Sequence, residues 1–366
     1  MLRGTCERML AEIPMQIYLL VFGFIYVAIS IQIRSLPGKS GRDFANELIN
    51  AAMWFVGALI YPFSYSPTIE PRIKDYFFLF SDVAMVCIFL VILIIVGRQK
   101  ILMLRDPDFI KRKDFETFAA KFTAAYNLRQ DIDRKAFHLL IPAFVLAMYL
   151  IGLAMVSWFG IDFVSGHDLG IFLIINCGFG GLFLFAAADA VRLSYFFKNK
   201  GLSIFHLLPT TVLNILTKRM HKRELYTFIP TVLILQSFIP FLPAPFAVFA
   251  TVTLIASISD AAASIIGKAS NQACRGRFIF PSHRYKYFKN KTIPGYIAGF
   301  LATMFITWIM LVIFPVPGTD IASIIIVSII TASIFIILDI LSLPVNDNIL
   351  NPILCGIAML ACLLLV

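Results

Sequence analysis

Stretches of about twenty mostly apolar residues recur along almost the whole chain, and a helix of that length crosses the ~30 Å hydrocarbon core of a bilayer. The segment "APFAVFATVTLIASISDAAASIIG", Ala244 to Gly267, is one example. Lipid offers no hydrogen bonds to an exposed backbone, so long apolar runs of this kind dictate helices that satisfy their own N–H and C=O groups. Composition agrees, since 60% of the 366 residues are hydrophobic and only 14% are charged. That is too little polarity to coat a soluble surface. The expected fold is an all-α, polytopic transmembrane bundle with spans near 13–33, 48–66, 76–96, 137–160, 169–191, 225–242, 244–267, 293–314, 320–343 and 347–366, ten in all. The first run follows Arg3 and Arg8 but is too long for a signal peptide and has no small-x-small cleavage site, so it reads as a span. The six cysteines are scattered without a CxxC pair, which points to core packing rather than a disulfide framework.

The basic residues assign sides. Of the 31 Lys and Arg, 27 fall in the alternate loops that begin at 34, 97, 192, 268 and 344. Positive loops stay cytoplasmic, so these are expected inside and both termini outside. The net charge of +10 then sits on one face. Such a face attracts anionic lipid or a phosphate-rich ligand, although topology alone also explains it. The chain is expected in the cell membrane of a prokaryote or in the endoplasmic reticulum, with membrane lipids as neighbours and no nucleic-acid partner. No repeat or separate soluble domain is visible. Residues 1–130 read as accessory spans plus a cytoplasmic amphipathic segment, and 131–366 as the main membrane domain.

The polar residues inside this frame gather at one depth. "DIDRKAFHLLIP" puts Arg134, Lys135 and His138 at the cytoplasmic start of the fourth span, with Arg134 and His138 one helical turn apart. "FAAADAVRLS" puts Asp189 and Arg192 at the end of the fifth, and Glu224 precedes the sixth. Asp260 stands in the seventh, roughly 10 Å inside Lys268. Lys291 and Thr292 open the eighth, Asp339 closes the ninth, and Asp347 and Asn348 open the tenth. A carboxylate within a span costs ~2.5–3.5 kcal/mol on insertion scales, which makes it a functional candidate by default. The plainer reading of each residue is a wetted helix end, and Asp189 with Arg192 also reads as a self-neutralising pair. Their coincidence on one face favours a shared hydrated pocket. Carboxylates with an asparagine suit Mg²⁺, and the adjoining Lys and Arg suit phosphate oxygens. Acidic metal site, basic clamp and membrane-level mouth together suggest phosphoryl or nucleotidyl transfer to a lipid.

The ordered series "RKAFH", "DAVR", "SDAAASIIGK", "KTIPGY" and "NDNILNP" resembles the CTP-dependent lipid-alcohol kinases, that is dolichol kinase, phytol kinase and CTP-dependent diacylglycerol kinase, which are related to phosphatidate cytidylyltransferase. The resemblance covers about residues 131–360. It implies Asp260, Lys291, His138 and Asp189 as catalytic residues and Arg134, Lys135, Arg192, Thr292, Asn348 and Lys268 as substrate contacts. It implies CTP as phosphate donor and a lipid alcohol as acceptor, and Mg²⁺ is expected on Asp260, Asp339 and Asp347, with Asp339 or Glu224 standing in for an acid missing from the family pattern. Three positions depart from the family pattern: Ser259 stands before the aspartate in place of glycine, Asn271 lies where a second glycine is expected, and Pro294 replaces a glutamate. Transfer of CMP to phosphatidate is the neighbouring reading. A transporter lined by the same acids and bases is the third, although the outer half of the bundle offers no matching polar path.

Overall fold

The structure, a computed structural model, describes residues 2–36, 39–106, 108–109, 113, 115–125, 128–218, 220, 222–273, 292–341, 343 and 345–365. Among them the regular structure is helical, with no β-strand. The helices are α1 (Leu2–Ile33), α2 (Gly41–Ile60), α3 (Pro71–Arg105), α4 (Phe115–Ala125), α5 (Leu128–Phe159), α6 (Gly166–Leu193) and α7 (Thr210–Thr217). There follow α8 (Pro230–Ser237), α9 (Phe246–Leu254), α10 (Asp260–Ala273), α11 (Ile293–Ile313), α12 (Ile321–Leu341) and α13 (Asp347–Leu365). Among the described residues, nine helical stretches are long and apolar enough to cross a bilayer, so the protein is an all-α, multi-pass membrane bundle.

The expected span near 225–242 takes another form. Its apolar helix, α8 plus a 3₁₀ turn at Ile239–Phe241, covers only Pro230–Phe241. Prolines explain the interruption: Pro230, Pro240, Pro243 and Pro245 each lack an N–H and prevent one α-helix from running through. A broken helix is tolerated at membrane depth only inside protein, and Val232, Ile234 and Gln236 are fully buried. The next span is continuous but not uniform, because a π-helical stretch, Ile255–Ser259, joins α9 to α10.

Two compact units divide the chain, residues 1–137 with 147–236 and residues 138–146 with 237–366. The division therefore falls within α5 and at residue 236, whereas the sequence reading divides the chain at 130. In the first unit, α1 and α2 form a hairpin whose second helix begins on a capping box, Ser40 Oγ accepting from Asp43 N–H while the Asp43 carboxylate accepts from Ser40 N–H at 2.8 Å. The core is aromatic. Trp54 lies 5.4 Å from Tyr26 and 5.6 Å from Phe183 between ring centroids, and Tyr26 stacks on Phe228 at 4.2 Å. Phe22 meets Phe183, and the Tyr26 hydroxyl donates to the Ala186 carbonyl, so α1 and α6 run parallel. Helices α5 and α6 cross on Gly152 and Gly170, where a methyl group on Gly152 would lie 2.3 Å from the Gly170 nitrogen.

The second unit is held by small-residue crossings of the kind that membrane helices use in place of a hydrophobic drive. A methyl group on Gly299 would lie 2.7 Å from the Phe335 ring, and one on Gly356 would lie 2.3 Å from Phe241. Short turns link α11 to α12 and α12 to α13, so these three alternate in direction.

Candidate functional site

Asp260 is the first residue of α10, directly after the π-helical stretch. Wide π turns occur mostly as single-turn insertions inside α-helices, frequently at functional sites, and the extra residue re-aims the side chains that follow. Asp260 is half-buried. Ala263 and Gly267 lie three and seven residues further on and share its helical face. That face meets the start of α11 closely: a methyl group on Gly295 would lie 2.8 Å from the Ala263 carbonyl oxygen, and one on Gly267 would lie 3.0 Å from Thr292 Oγ1. The contact continues up the pair, where Thr303 Oγ1 donates to Ser259 Oγ at 2.9 Å. Helices α10 and α11 are therefore antiparallel, with Asp260 about two turns above the first residues of α11.

Thr292 is the N-cap of α11, its Oγ1 accepting from Gly295 N–H at 3.2 Å. It is buried. Pro294 falls in the first helical turn, where the missing N–H would have had no intrahelical partner anyway. The proline that departs from the family pattern is thus a good helix starter, and it places no carboxylate at this point.

Because α11, α12 and α13 alternate, the start of α11, the end of α12 and the start of α13 share one end of the unit with Lys268. Asp339 acts electrostatically on Tyr296, one turn into α11. Asp347 is exposed; Asn348 is half-buried, and its N–H donates to Asn346 Oδ1 at 3.0 Å. This places Lys268, Thr292, Asp339, Asp347 and Asn348 toward one end of the second unit, with Asp260 about two turns away from it. It does not build a three-carboxylate ion site. Among the described residues, no three His, Cys, Asp or Glu side chains converge to hold a metal. Lys291 lies outside the described residues, and so does the side chain of Lys135.

The remaining candidates stand differently. His138 is buried, 3% exposed, and belongs to the second unit, while Arg134, one turn earlier on α5, is half-buried and belongs to the first. Asp189 and Arg192 are both fully buried in the first unit and saturate each other. Arg192 Nε donates to Asp189 Oδ1 at 2.8 Å, and its two terminal nitrogens donate to the Leu225 and Thr227 carbonyls at 2.6 Å each. Asp189 Oδ2 accepts from Ile229 N–H at 2.9 Å. The pair is a clamp that fastens residues 225–229 to the end of α6. Fully buried, and with four of its five N–H groups engaged by Asp189 and backbone carbonyls, Arg192 has a structural task here beside the substrate role expected for it, as has Asp189 beside the expected catalytic one.

A second buried ion pair went unremarked in the sequence. Lys39 Nζ meets Glu47 Oε1, and both side chains are 3% exposed. Arg192 contributes to the field at Lys39, whose ammonium is held below its ordinary value by burial first of all. Asn50 and Trp54 continue the Glu47 stripe on α2, and the Asn50 amide, Trp54 Nε1 and Glu47 Oε2 are buried with no hydrogen-bond partner among the described residues. The signal was present in "NELINAAMWF", where Glu47, Asn50 and Trp54 recur at helical spacing inside an apolar run.

Comparisons with protein-family models, with curated proteins and with solved structures give no match for the chain.

Proposed function

We propose that the chain is a membrane-embedded phosphotransferase that moves the terminal phosphate of CTP to a lipid alcohol (a polyprenol, dolichol, phytol or diacylglycerol) at the cytoplasmic leaflet. One observation carries the reading: Asp260 stands at a π-to-α junction inside a span, on a helix packed antiparallel against α11 and about two turns from the α11 N-terminus. A carboxylate about two turns, roughly 10 Å, from a helix start leaves room for a metal-bound triphosphate between them. The free N–H groups and positive dipole of α11 favour phosphate oxygens, and Asp260 favours the cation that accompanies them.

Mg²⁺ commonly takes only one or two carboxylates and completes its shell with phosphates and water. Asp260, half-buried and unaccompanied by two further carboxylates, fits that mode. When bound, the ion neutralises charge on the β- and γ-phosphates. The chain's own residues do the rest. Lys268, and Lys291 by the family resemblance, would hold the γ-phosphate while Thr292 fixes the α11 start that receives it. The lipid hydroxyl oxygen bonds to the γ-phosphorus, the bond to the β–γ bridging oxygen breaks, and CDP leaves. His138 or Asp339 takes the hydroxyl proton.

CTP labelled on the γ-phosphate, supplied to purified protein with each lipid alcohol, tests the proposal. Label is expected in lipid, and Asp260→Asn should cut transfer by on the order of 10²–10³, the usual loss when one preorganised charge is removed. Cytidine in lipid instead of γ-phosphate would replace the reading with CMP transfer. Label in neither form would sink it.

A further inference from the structure

Helix α2 carries a row of polar side chains into a candidate span, Gly41–Phe63. Glu47, Asn50 and Trp54 follow one another at steps of three and four residues, so they share one face. Glu47 is buried, and Asn50 and Trp54 are 0% exposed. The face turns inward. The Trp54 ring meets Tyr26 of α1 and Phe183 of α6, while Asp189 and Arg192 at the end of α6 act electrostatically on Glu47 and Lys39. All of these residues belong to the first unit.

One bond is in place, from Lys39 Nζ to Glu47 Oε1. Glu47 Oε2, both polar atoms of the Asn50 amide and Trp54 Nε1 have no hydrogen-bond partner among the described residues. A buried polar atom left unsatisfied forfeits its hydration outright, so a row of them on one helix face calls for a ligand. Their chemistry says which. Glu47 Oε2 and Asn50 Oδ1 accept, whereas Asn50 Nδ2 and Trp54 Nε1 donate. A second cation at Glu47 would stand beside the Lys39 ammonium, and an anion at Asn50 would stand beside the Glu47 carboxylate. A small neutral molecule that both donates and accepts suits every group. Seven residues of helix set Glu47 and Trp54 roughly 10 Å apart. One bridging water spans about 5.6 Å, two hydrogen bonds of ~2.8 Å, so the row takes about two in file.

We infer that this face of α2 binds a short file of ordered water, which joins the buried Lys39–Glu47 pair to Asn50 and Trp54 inside the first unit. The waters complete hydrogen bonds that lipid cannot supply and keep the ion pair solvated within the span. The file owes nothing to the transferase reading, because it lies in the first unit alone and its test uses no nucleotide.

Radiolytic labelling of the full chain in lipid nanodiscs tests it. A brief X-ray pulse in heavy-oxygen water makes hydroxyl radicals wherever water stands, and a scavenger in the buffer removes those of the bulk. Heavy oxygen should then appear on the Trp54 indole and not on Phe241, an equally hidden ring, 2% exposed, packed on Gly356 of the second unit. Asn50→Leu, close in shape but apolar, takes away the middle group of the file. Trp54 should lose its label in that variant while the melting temperature holds. Equal labelling of Trp54 and Phe241 in the wild type overturns the inference. So does folded Asn50→Leu protein with undiminished label on Trp54.

Discussion

Replacing Asp189 by alanine strands the Arg192 guanidinium, 0% exposed, beside two backbone carbonyls and no anion. Breaking a buried pair from one side costs about 3–5 kcal/mol, because the surviving charge keeps its desolvation penalty. Asp189→Ala should therefore lower the melting temperature in detergent steeply, and Asp189→Ala/Arg192→Met should recover part of the loss. Asp260→Asn, at a half-buried site, should shift stability by less than about 1 kcal/mol. If thermal unfolding showed Asp189→Ala as mild and Asp260→Asn as severe, the assignment of one pair to scaffold and the other residue to chemistry would be reversed. At this scale the sequence was ambiguous for a physical reason. Both aspartates sit in spans toward the side that the basic loops mark as cytoplasmic, with a base close by, and the one-letter code does not say whether the Arg192 fork is already spent. That depends on the Leu225 and Thr227 carbonyls, more than thirty residues away. Glu47 was missed for a related reason. Placed at the edge of a span, it reads as a solvated charge until Lys39 is seen to be buried against it.

Among the elements, the apolar runs were legible because one period and one length, about twenty residues, suffice to specify a transmembrane helix. The helix starts are fixed by cap chemistry, which a count of apolar residues does not register. Asp320 illustrates this: its carboxylate accepts from Ser323 N–H at 2.8 Å at the head of α12. Bonds from Ser323 hold its acid below the ordinary carboxylate value. A depressed acid contributes stability that is present above its unfolded value and lost as the pH falls through the folded one. Melting temperature should thus decline on the acid side of about pH 4, and Asp320→Asn, which keeps a capping oxygen but does not titrate, should remove that part of the decline. An Asp320→Asn curve that falls in parallel with the wild type below pH 4 would show that the cap does not titrate as argued. What was not legible at this scale was the π-helical stretch before Asp260 and the break at 230–241. The first depends on packing by the neighbouring helices. The second escapes a count of apolar residues, because the break comes from Pro240, Pro243 and Pro245.

For the molecule as a whole, that break raises a question of parity: does the chain cross the membrane between α6 and α9? A twelve-residue helical piece rises ~18 Å, too little alone. The non-helical residues Thr227–Ile229 add up to ~3.3 Å each, so the segment reaches ~28 Å, close to ~30 Å of hydrocarbon, before the chain turns at Leu242–Ala244. Charge decides between the options. The loops 192–224 and 268–292 hold seven Lys and Arg each, and a chain that failed to cross between them would strand one basic group on the wrong side. The expected outcome is a crossing made by a broken helix shielded by protein. Single cysteines in a cysteine-free background test it with a membrane-impermeant maleimide. Asn199→Cys and Ala269→Cys should label from the same side, and Asp162→Cys from the other. Labelling of positions 199 and 269 from opposite sides would mean that the segment does not cross. It would also remove Asp260 from the cytoplasmic face on which the nucleotide reading depends.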